Sequence, residues 1–316
     1  MLQLLHGGGY CSGSIKSHRR MVTEAGRALG MRTLAIDYRR APEHRFPAQH
    51  EDARTAWRFL RRQGIAAGHI AVGGDGTVNE VVNGLMRLRE LGRAVPELAV
   101  VPRGTGRDFV RTFRIPARLD DALALVEGGH GRDIDVGRVA FRAWDGSDGV
   151  SYFANVGSAG MSGAVAKRAN STSKAFGGKV SFLAATLAVF AHWQPGRMDV
   201  RVDGEHREGL MYDVLVANCV YLAGGMKMTP DALPDDGLFD VLLLGDITRT
   251  DLALTLPKVY RGTHLPHPKA ELLRGRSVSV DAPAPLPIEL DGEQPGTTPA
   301  RFELVPAAVR LRVPGD

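Results

Sequence analysis

The chain of 316 residues contains very few cysteines and few aromatic residues. Its two cysteines, Cys11 and Cys219, lie far apart in the sequence. A disulfide framework and a cysteine-based metal site are therefore not expected, and the reducing cytoplasm is the default compartment. Aromatic residues make up 6% of the chain. Because no RNA-binding aromatic motif and no dense block of lysine and arginine occurs, nucleic acid is not an expected partner.

Hydrophobic runs long enough to cross a membrane are also missing. The most apolar stretch, residues 180–191, is shorter than the about 20 residues that a membrane span needs. It predicts a buried helix, or a helix that lines an apolar pocket. The first residues, MLQLLHGGG, lack the basic region and long apolar core of a signal peptide. These features predict a cytoplasmic protein without a transmembrane segment.

The net charge of +5 makes an anionic partner plausible, such as a nucleotide or an anionic lipid surface. Apolar residues make up 44% of the chain and charged residues 24%, as in ordinary globular proteins. The length is sufficient for two domains.

Strand and helix patterns alternate through the first part of the chain. Short strands are predicted at LQLL, MRTLAIDY, HIAV and ELAVVP, with helices after them. Repeated β-α units predict an α/β domain with a doubly wound parallel sheet over residues 1–132. From residue 133 onward, short strands separated by turns predict an antiparallel β domain over residues 133–316. A helical stretch around residues 160–193 interrupts it, and its last strand is a candidate to return to the first domain.

The strand HIAV leads into the sequence GGDGT at residues 73–77. Its glycines leave room for backbone N–H groups to approach an anion at the start of a helix. Thr77 and Glu80 have the spacing of a capping box, so Thr77 is expected to start that helix. Asp75 would repel phosphate unless it serves a metal or accepts a proton. Taken alone, the sequence GGDG is more often an ordinary Gly/Asp turn than a phosphate-binding loop.

A second loop of the same kind follows one β-α unit later, in PRGTGRDF. It offers two glycines and a threonine at residues 104–106, and Asp108 in the first helical turn. Ligands of doubly wound sheets lie beyond the carboxyl ends of the strands. The two loops could therefore flank a single polyphosphate.

Two acidic motifs occur in the β domain. In ELDGE, Asp291 and Glu293 would fall on one face of an extended strand, where paired carboxylates can bind Mg²⁺ or deprotonate a hydroxyl. The alternative is a β-turn at Asp-Gly. In DALPDDGL, the cluster of Asp231, Asp235 and Asp236 suits a hard cation such as Mg²⁺, and a solvated turn is equally compatible with it.

Six motifs together resemble the diacylglycerol-kinase catalytic-domain family, and most closely its bacterial YegS-like lipid kinases. They are GGDGTVNEVVNGL, PRGTGRDF, DIDVG, FANVGSAG, GGMKMTPDALPDDGLFDV and ELDGE, in family order from about residue 70 to the end. The resemblance implies an α/β nucleotide domain followed by a β-sandwich domain, with ATP in the cleft between them. It also implies ATP- and Mg²⁺-dependent phosphorylation of a hydroxyl of diacylglycerol or a related lipid at the membrane surface.

The same resemblance implies roles for individual residues. Glu293 is the implied proton acceptor with Asp291 as its helper, and Asp75 is a third candidate catalytic residue. A structural Mg²⁺ would be held by Asp236 and the backbone carbonyls of Leu233 and Leu238. The implied nucleotide-binding residues are Gly73, Gly74, Asp75, Gly76, Thr77, Val78, Asn79, Gly104 and Thr105.

Residues 1–72 resemble a different family, the hormone-sensitive-lipase branch of the α/β-hydrolases, in LLHGGGYCSGS, AIDYRRAPEHRFPA and EDARTAWRFLRRQGI. The position of the hydrolase serine is occupied by Gly76, which has no hydroxyl, so a working esterase triad is not expected. The chain thus resembles a chimera joined at a shared GGD. A nucleotide- or lipid-binding protein impaired by this join is the main alternative to a kinase, and a residual carboxylesterase is the third. A homodimer is one assembly considered.

Overall fold

The computed structural model describes residues 2–5, 33–36, 69–72, 75–102, 107–171 and 178–315, with isolated positions between residues 23 and 62. The chain divides into two compact units. Unit 1 consists of Met1–Arg132 and Val309–Asp316, and unit 2 is Asp133–Ala308.

Unit 1 contains short parallel strands and the helices that follow them. Its strands are β1 (Leu2–Leu5), β2 (Thr33–Ile36), β3 (His69–Val72) and β4 (Glu97–Val100). Its helices are α1 (Asp75–Glu90), α2 (Asp108–Thr112) and α3 (Leu119–Gly128). β1 pairs in parallel with β2, and β3 with β4. The predicted parallel α/β architecture is therefore confirmed, although most of the two helices predicted between β1 and β3 lies outside the described residues.

The core of unit 1 lies along one side of α1. The buried apolar side chains of this helix are Val78, Val82, Leu85 and Met86. They recur three or four residues apart, which places them on one face of the helix. α1 lies against β3 and α2, and α3 lies against β4. This packing holds the start of α1 beside the start of α2.

Unit 2 is mainly antiparallel sheet. The strands that lie in it or enter it are β5 (His130–Ala143), β6 (Asp148–Phe153), β7 (Val156–Gly160), β8 (Gly196–Val202), β9 (Glu205–Ala217), β10 (Tyr221–Leu222), β11 (Met226–Lys227), β12 (Phe239–Gly245), β13 (Ala270–Gly275), β14 (Ser277–Asp281), β15 (Ile288–Leu290) and β16 (Gly296–Val313). The main sheet has the order β13-β12-β9-β8-β14-β16. β7 pairs with β9 and β15, and β5 forms a hairpin with β6. The predicted antiparallel β domain is confirmed, and β13 is a strand that the sequence reading missed.

The end of β16 belongs to unit 1, where Leu311 pairs in parallel with Leu98 of β4.

Three phenylalanines lie at the centre of the unit 2 core. The ring of Phe153 stacks on Phe239 with centroids 5.7 Å apart and meets the edge of Phe302 at 6.2 Å. All three side chains are fully buried. Around them, β14 and much of β16 alternate buried and more exposed residues, as expected for strands with one face on a core.

Unit 2 also contains three helices, α4 (Met161–Ser171), α5 (Gly178–Phe190) and α6 (Arg249–Arg261). α5 covers most of the apolar stretch that was predicted to be a buried helix. Its burial is one-sided, because Ala185 and Phe190 are buried whereas the side chain of Leu187 is 46% exposed. Phe190 stacks on Tyr212 of β9 at 4.8 Å. Among the described residues, none of the helices has the length and apolar character needed to cross a membrane.

We expect Phe153→Ala to lower the free energy of unfolding by about 3–5 kcal/mol, because it leaves a cavity between two other aromatic rings. Val150→Ala on the same strand is the control. The Val150 side chain is 49% exposed, so its loss should change stability by less than about 0.5 kcal/mol. Urea unfolding followed by circular dichroism measures both, and equal effects would contradict this description of the core.

Candidate active site

The two glycine loops of unit 1 leave the same edge of the sheet. β3 and β4 pair in parallel up to Val72 and Val100, so the chain leaves both strands at their carboxyl ends. Helix α1 begins at Asp75, not at Thr77. The prediction that Thr77 starts the helix is therefore wrong, and Thr77 lies in the first turn. A carboxylate stabilises the positively polarised first turn of a helix, so Asp75 can begin it two residues earlier.

The carboxylate of Asp75 connects the starts of α1 and α2. Its Oδ2 accepts the backbone N–H of Asp108 at 3.4 Å, and the backbone N–H groups of Arg107 and Phe109 also point to it. Arg107, the residue that precedes α2, has a left-handed φ of 59° and no side-chain cap of its own. Asp75 thus caps α2 from the start of α1. Burial raises the pKa of Asp75 above its ordinary value, and these backbone donors only partly offset that rise.

The other predicted nucleotide-binding residues differ in exposure. Gly76 is exposed and has open space where a Cβ would lie. Thr77 is half-buried, whereas Val78 and Asn79 are buried. Their side chains belong to the packed side of α1. The remaining four, Gly73, Gly74, Gly104 and Thr105, lie outside the described residues.

In unit 2, the motif ELDGE forms a tight hairpin. β15 ends at Leu290, and the backbones of Leu290 and Glu293 exchange hydrogen bonds of 2.9 and 3.0 Å. The two residues of the turn have left-handed φ angles, 50° at Asp291 and 95° at Gly292. These angles are those of the tight hairpin turns that Asp-Gly favours. The expectation of an extended strand with both carboxylates on one face is therefore wrong, and the alternative of an Asp-Gly turn is correct.

The carboxylate of Asp291 binds the backbone between β6 and β7. Oδ2 accepts the N–H of Ala154 at 2.9 Å. Oδ1 accepts the N–H groups of Asn155 and Val156 at 3.0 and 2.9 Å. With both oxygens bound to backbone, Asp291 fixes the turn, and exposed Glu293 follows it. The two residues that the sequence grouped together thus have different surroundings.

Two buried carboxyl groups beside this turn were missed by the sequence analysis. Glu289 accepts the backbone N–H of Gly292 and the hydroxyl of Ser158. Asp213 accepts the N–H and the hydroxyl of Ser162, at the start of α4. They lie on the strands that flank β7, since Glu289 pairs with Ser158 and Asp213 with Gly160.

Burial raises the pKa of Glu289 to about 8 and that of Asp213 to about 7. A negative charge on Asp213 would raise the pKa of Glu289 further. Glu289 is thus largely protonated around neutral pH, whereas Asp213 exchanges its proton in that range. The only sequence signal for Glu289 was its place in ELDGE, and Asp213 had none.

The acidic loop proposed to hold Mg²⁺ is closely tied to its surroundings. One oxygen of Asp236 accepts the N–H of Leu238 at 3.0 Å and the other binds Arg274. Arg274 also lies 3.5 Å from Asp240. Buried Asp135 accepts the N–H groups of Gly237 and Ala307, both at 2.8 Å. No three acidic, histidine or cysteine side chains group as a metal site in the part of the chain that the structure describes.

Comparison with known proteins now identifies the family. Residues 155–313 match the profile of the YegS C-terminal NAD kinase beta sandwich-like domain. The chain belongs to the YegS-like diacylglycerol kinase family. It is 29% identical over 249 residues to a diacylglycerol kinase of Staphylococcus carnosus, an alignment that covers 78% of this chain and 76% of that protein. A diacylglycerol kinase of Staphylococcus aureus is 28% identical, with coverage of 78% and 74%.

Solved structures support the fold of the family. A diacylglycerol kinase structure from Bacillus anthracis aligns over 99% of this chain and 96% of that chain, with a TM-score of 0.65 and 18% identity. At this level of identity the similarity concerns the fold alone.

The beginning of the chain matches another family. Residues 2–82 match the profile of the alpha/beta hydrolase fold. The predicted chimera of a hydrolase-like segment and a YegS-like lipid kinase segment is therefore confirmed at the level of sequence. Gly76, which occupies the position of the hydrolase serine, is the second residue of α1 in this structure.

We expect Asp291→Asn to lower the free energy of unfolding by about 1–3 kcal/mol, since one of its two half-buried acceptor oxygens is replaced by an NH₂ group and the charge is removed. Asparagine tolerates the left-handed backbone at this position. Glu293→Gln is the matched control and should leave stability within about 0.5 kcal/mol, because its side chain is exposed. Chemical unfolding measures both, and a large loss in the control alone would contradict the structural assignment of Asp291.

The buried carboxyl groups also predict how stability depends on pH. Because folding raises the pKa of Glu289 and Asp213, the folded state binds more protons than the unfolded chain between about pH 4 and 8. The contribution of these two groups to the free energy of unfolding should therefore be fully present below this range. It should be lost as the pH rises through the range.

Glu289→Gln keeps a hydrogen-bonding side chain but cannot ionise. We expect it to reduce the loss of stability between pH 5 and pH 8 (roughly the window set by the two shifts), as measured by urea unfolding at both values. An unchanged pH dependence in this variant would contradict the assignment.

Proposed function

We propose that the chain is an ATP- and Mg²⁺-dependent kinase that phosphorylates a hydroxyl group of diacylglycerol or a related lipid. The observation that carries this proposal is the turn of unit 2, in a chain that belongs to the diacylglycerol kinase family. Asp291 anchors this turn through three backbone hydrogen bonds. Glu293, one residue beyond it, is left as the exposed carboxylate of the motif.

Unit 1 is the proposed nucleotide-binding domain. The phosphates of ATP would lie at the start of α1, where backbone N–H groups and the partial positive charge of the helix favour an anion. Exposed Gly76 leaves open space at this point. Asp75 is the proposed positioning residue of this loop, since its carboxylate holds the start of α2 beside that of α1.

Unit 2 would hold the Mg²⁺, through Asp236 and the carbonyl oxygens of Leu233 and Leu238. The donors fit a hard cation, which prefers carboxylate and carbonyl oxygen. Asp231, Asp236 and Asp240 lie close enough to influence one another, with Arg274 as their counter-charge. The Oδ2 atom of Asp240 is buried without a hydrogen-bond partner among the described residues. When bound, Mg²⁺ would have a structural role and stabilise this acidic loop.

The proposed reaction is an in-line phosphoryl transfer. The carboxylate of Glu293 accepts the proton of the lipid hydroxyl, and the hydroxyl oxygen forms a bond to the γ-phosphorus of ATP. The bond from that phosphorus to the bridging oxygen breaks, and ADP leaves with its electron pair. Such transfer depends on positioning and charge stabilisation more than on covalent chemistry by the protein.

One observation favours a second candidate, a nucleotide- or lipid-binding protein without turnover. Residues 2–82 match the alpha/beta hydrolase fold, so the loop after β1 is HGGGYCSGS where the kinase family has an Asn-Pro-x-Ser-Gly-like element. An esterase is disfavoured, because glycine at position 76 supplies no nucleophile.

The direct test is transfer of ³²P from γ-labelled ATP to diacylglycerol by the purified chain. We expect Mg²⁺-dependent transfer and a loss of about 100-fold or more in Glu293→Gln, since a general base contributes about 10²–10⁴-fold. The matched control is Glu303→Gln, which makes the same change at an exposed glutamate on β16 and should retain activity. A variant of Asp291 cannot serve as this control, because it would alter the turn itself.

The same protein distinguishes the alternatives. A rise in melting temperature with ATP but no phosphoryl transfer would favour the binding protein, because a ligand of the native state must stabilise it. Hydrolysis of p-nitrophenyl butyrate would favour the esterase. Full phosphoryl transfer by Glu293→Gln would contradict the proposed base.

A further inference from the structure

An exposed tryptophan lies beside the proposed base. Trp144 occupies the turn between β5 and β6, and its side chain is 58% exposed. Its indole Nε1–H donates to the backbone carbonyl of Gln294 at 2.9 Å. Gln294 follows Glu293 directly, so the indole contacts the backbone next to that carboxylate.

The indole is held by more than this one bond. The side-chain amide of Gln294 donates to the carbonyl of Gly163 in α4 at 2.9 Å. The ammonium group of Lys167, one turn further along α4, lies 5.9 Å from the centre of the Trp144 ring. Gly296 packs so closely on the backbone of Arg142 that a Cβ there would clash. The hairpin turn, the segment after Glu293 and helix α4 therefore form one local structure with the indole at its surface.

The surrounding charges are nearly balanced. Lys167 and Arg142 are positive, and Arg142 is paired with Asp148 at 2.9 Å. Asp145 accepts both the N–H and the hydroxyl of Ser147. The patch is thus an aromatic ring with a cation over it, beside carboxylates that already have partners.

The exposed apolar area is too small for a stable protein interface. An indole exposed to this extent offers roughly 100–150 Å², whereas a specific protein partner needs about 800 Å² on each side. In β5, β6 and their turn, all of which the structure describes, Val150 is the other large apolar side chain that is exposed. A single anchored indole with a neighbouring cation is instead typical of residues that lie at the boundary between lipid head groups and acyl chains.

We propose that the β5–β6 turn is a membrane-docking site, at which the indole of Trp144 inserts into the head-group region of a phospholipid bilayer with Lys167 at the phosphate level. This docking would bring Glu293 to the depth at which the glycerol hydroxyl of a membrane lipid lies. The identity of that lipid rests on the proposed function, but the docking itself does not require turnover.

The first test is quenching of Trp144 by brominated phospholipid. In the full chain with Trp57→Phe and Trp193→Phe, Trp144 is the only tryptophan. We expect its emission to shift to the blue and to be quenched when vesicles of phosphatidylcholine and phosphatidylglycerol with brominated acyl chains are added. Circular dichroism verifies that this variant is folded. Unchanged emission from Trp144 while the protein sediments with the vesicles would overturn the proposal.

The second test compares vesicle binding of two truncations in the otherwise unaltered chain. Trp144→Ala should weaken binding to the same vesicles by about tenfold or more, because the inserted ring is lost. Leu210→Ala removes a side chain on β9 that is 55% exposed and should bind as the unaltered chain does. Equal affinities for Trp144→Ala and the unaltered chain would refute the docking site.

Kinase failure and docking failure give different results. Phosphoryl transfer to a short-chain, water-soluble diacylglycerol tests the proposed function without a bilayer, and vesicle binding tests docking without ATP. A chain that binds vesicles through Trp144 but transfers no phosphate would support the docking site alone.

Discussion

The bond from Asp75 to the first turn of α2 is the contact on which the proposed nucleotide site depends. α2 has no side-chain cap of its own, and the residue before it, Arg107, has a left-handed backbone. The carboxylate of Asp75 supplies the cap that α2 lacks and adds to the packing of α1 against α2. The raised pKa of Asp75 shows that burial of this carboxylate has a cost, which the backbone donors partly offset. The capping of α2 thus gives Asp75 a role in the fold that is independent of any catalytic role.

In the motif ELDGE, too, a carboxylate holds the backbone of a distant segment. Asp291 accepts three backbone N–H groups of the β6–β7 connection, and Glu289 lies beneath the turn on Gly292. Two carboxyl groups of ELDGE therefore hold the hairpin in place, and the third, Glu293, extends from it. The role proposed for Glu293 requires supporting groups whose own positions are fixed by hydrogen bonds. The motif combines a rigid support with one exposed carboxylate.

Local patterns predicted the parallel strands of unit 1, helix α1 and most strands of unit 2, because apolar periodicity reports burial within each element. Contacts between distant segments were not predictable in this way. Asp291 meets Ala154 across 137 positions of the chain. Asp213 and Glu289 become neighbours through the pairing of β7 with both flanking strands. Thr77 was placed at the helix start because its spacing to Glu80 suggested a capping box, whereas the carboxylate two residues earlier determined where the helix begins.

Hydrogen–deuterium exchange of the two glycine loops tests the central claim most directly. If Asp75 holds both loops as one phosphate site, Mg²⁺ and ATP should slow amide exchange in residues 73–79 and in residues 104–109 together. Asp75→Ala should remove the protection of both segments, since the bond that couples them is lost. Protection of one segment alone by ATP, or equal protection of both in Asp75→Ala, would contradict the account.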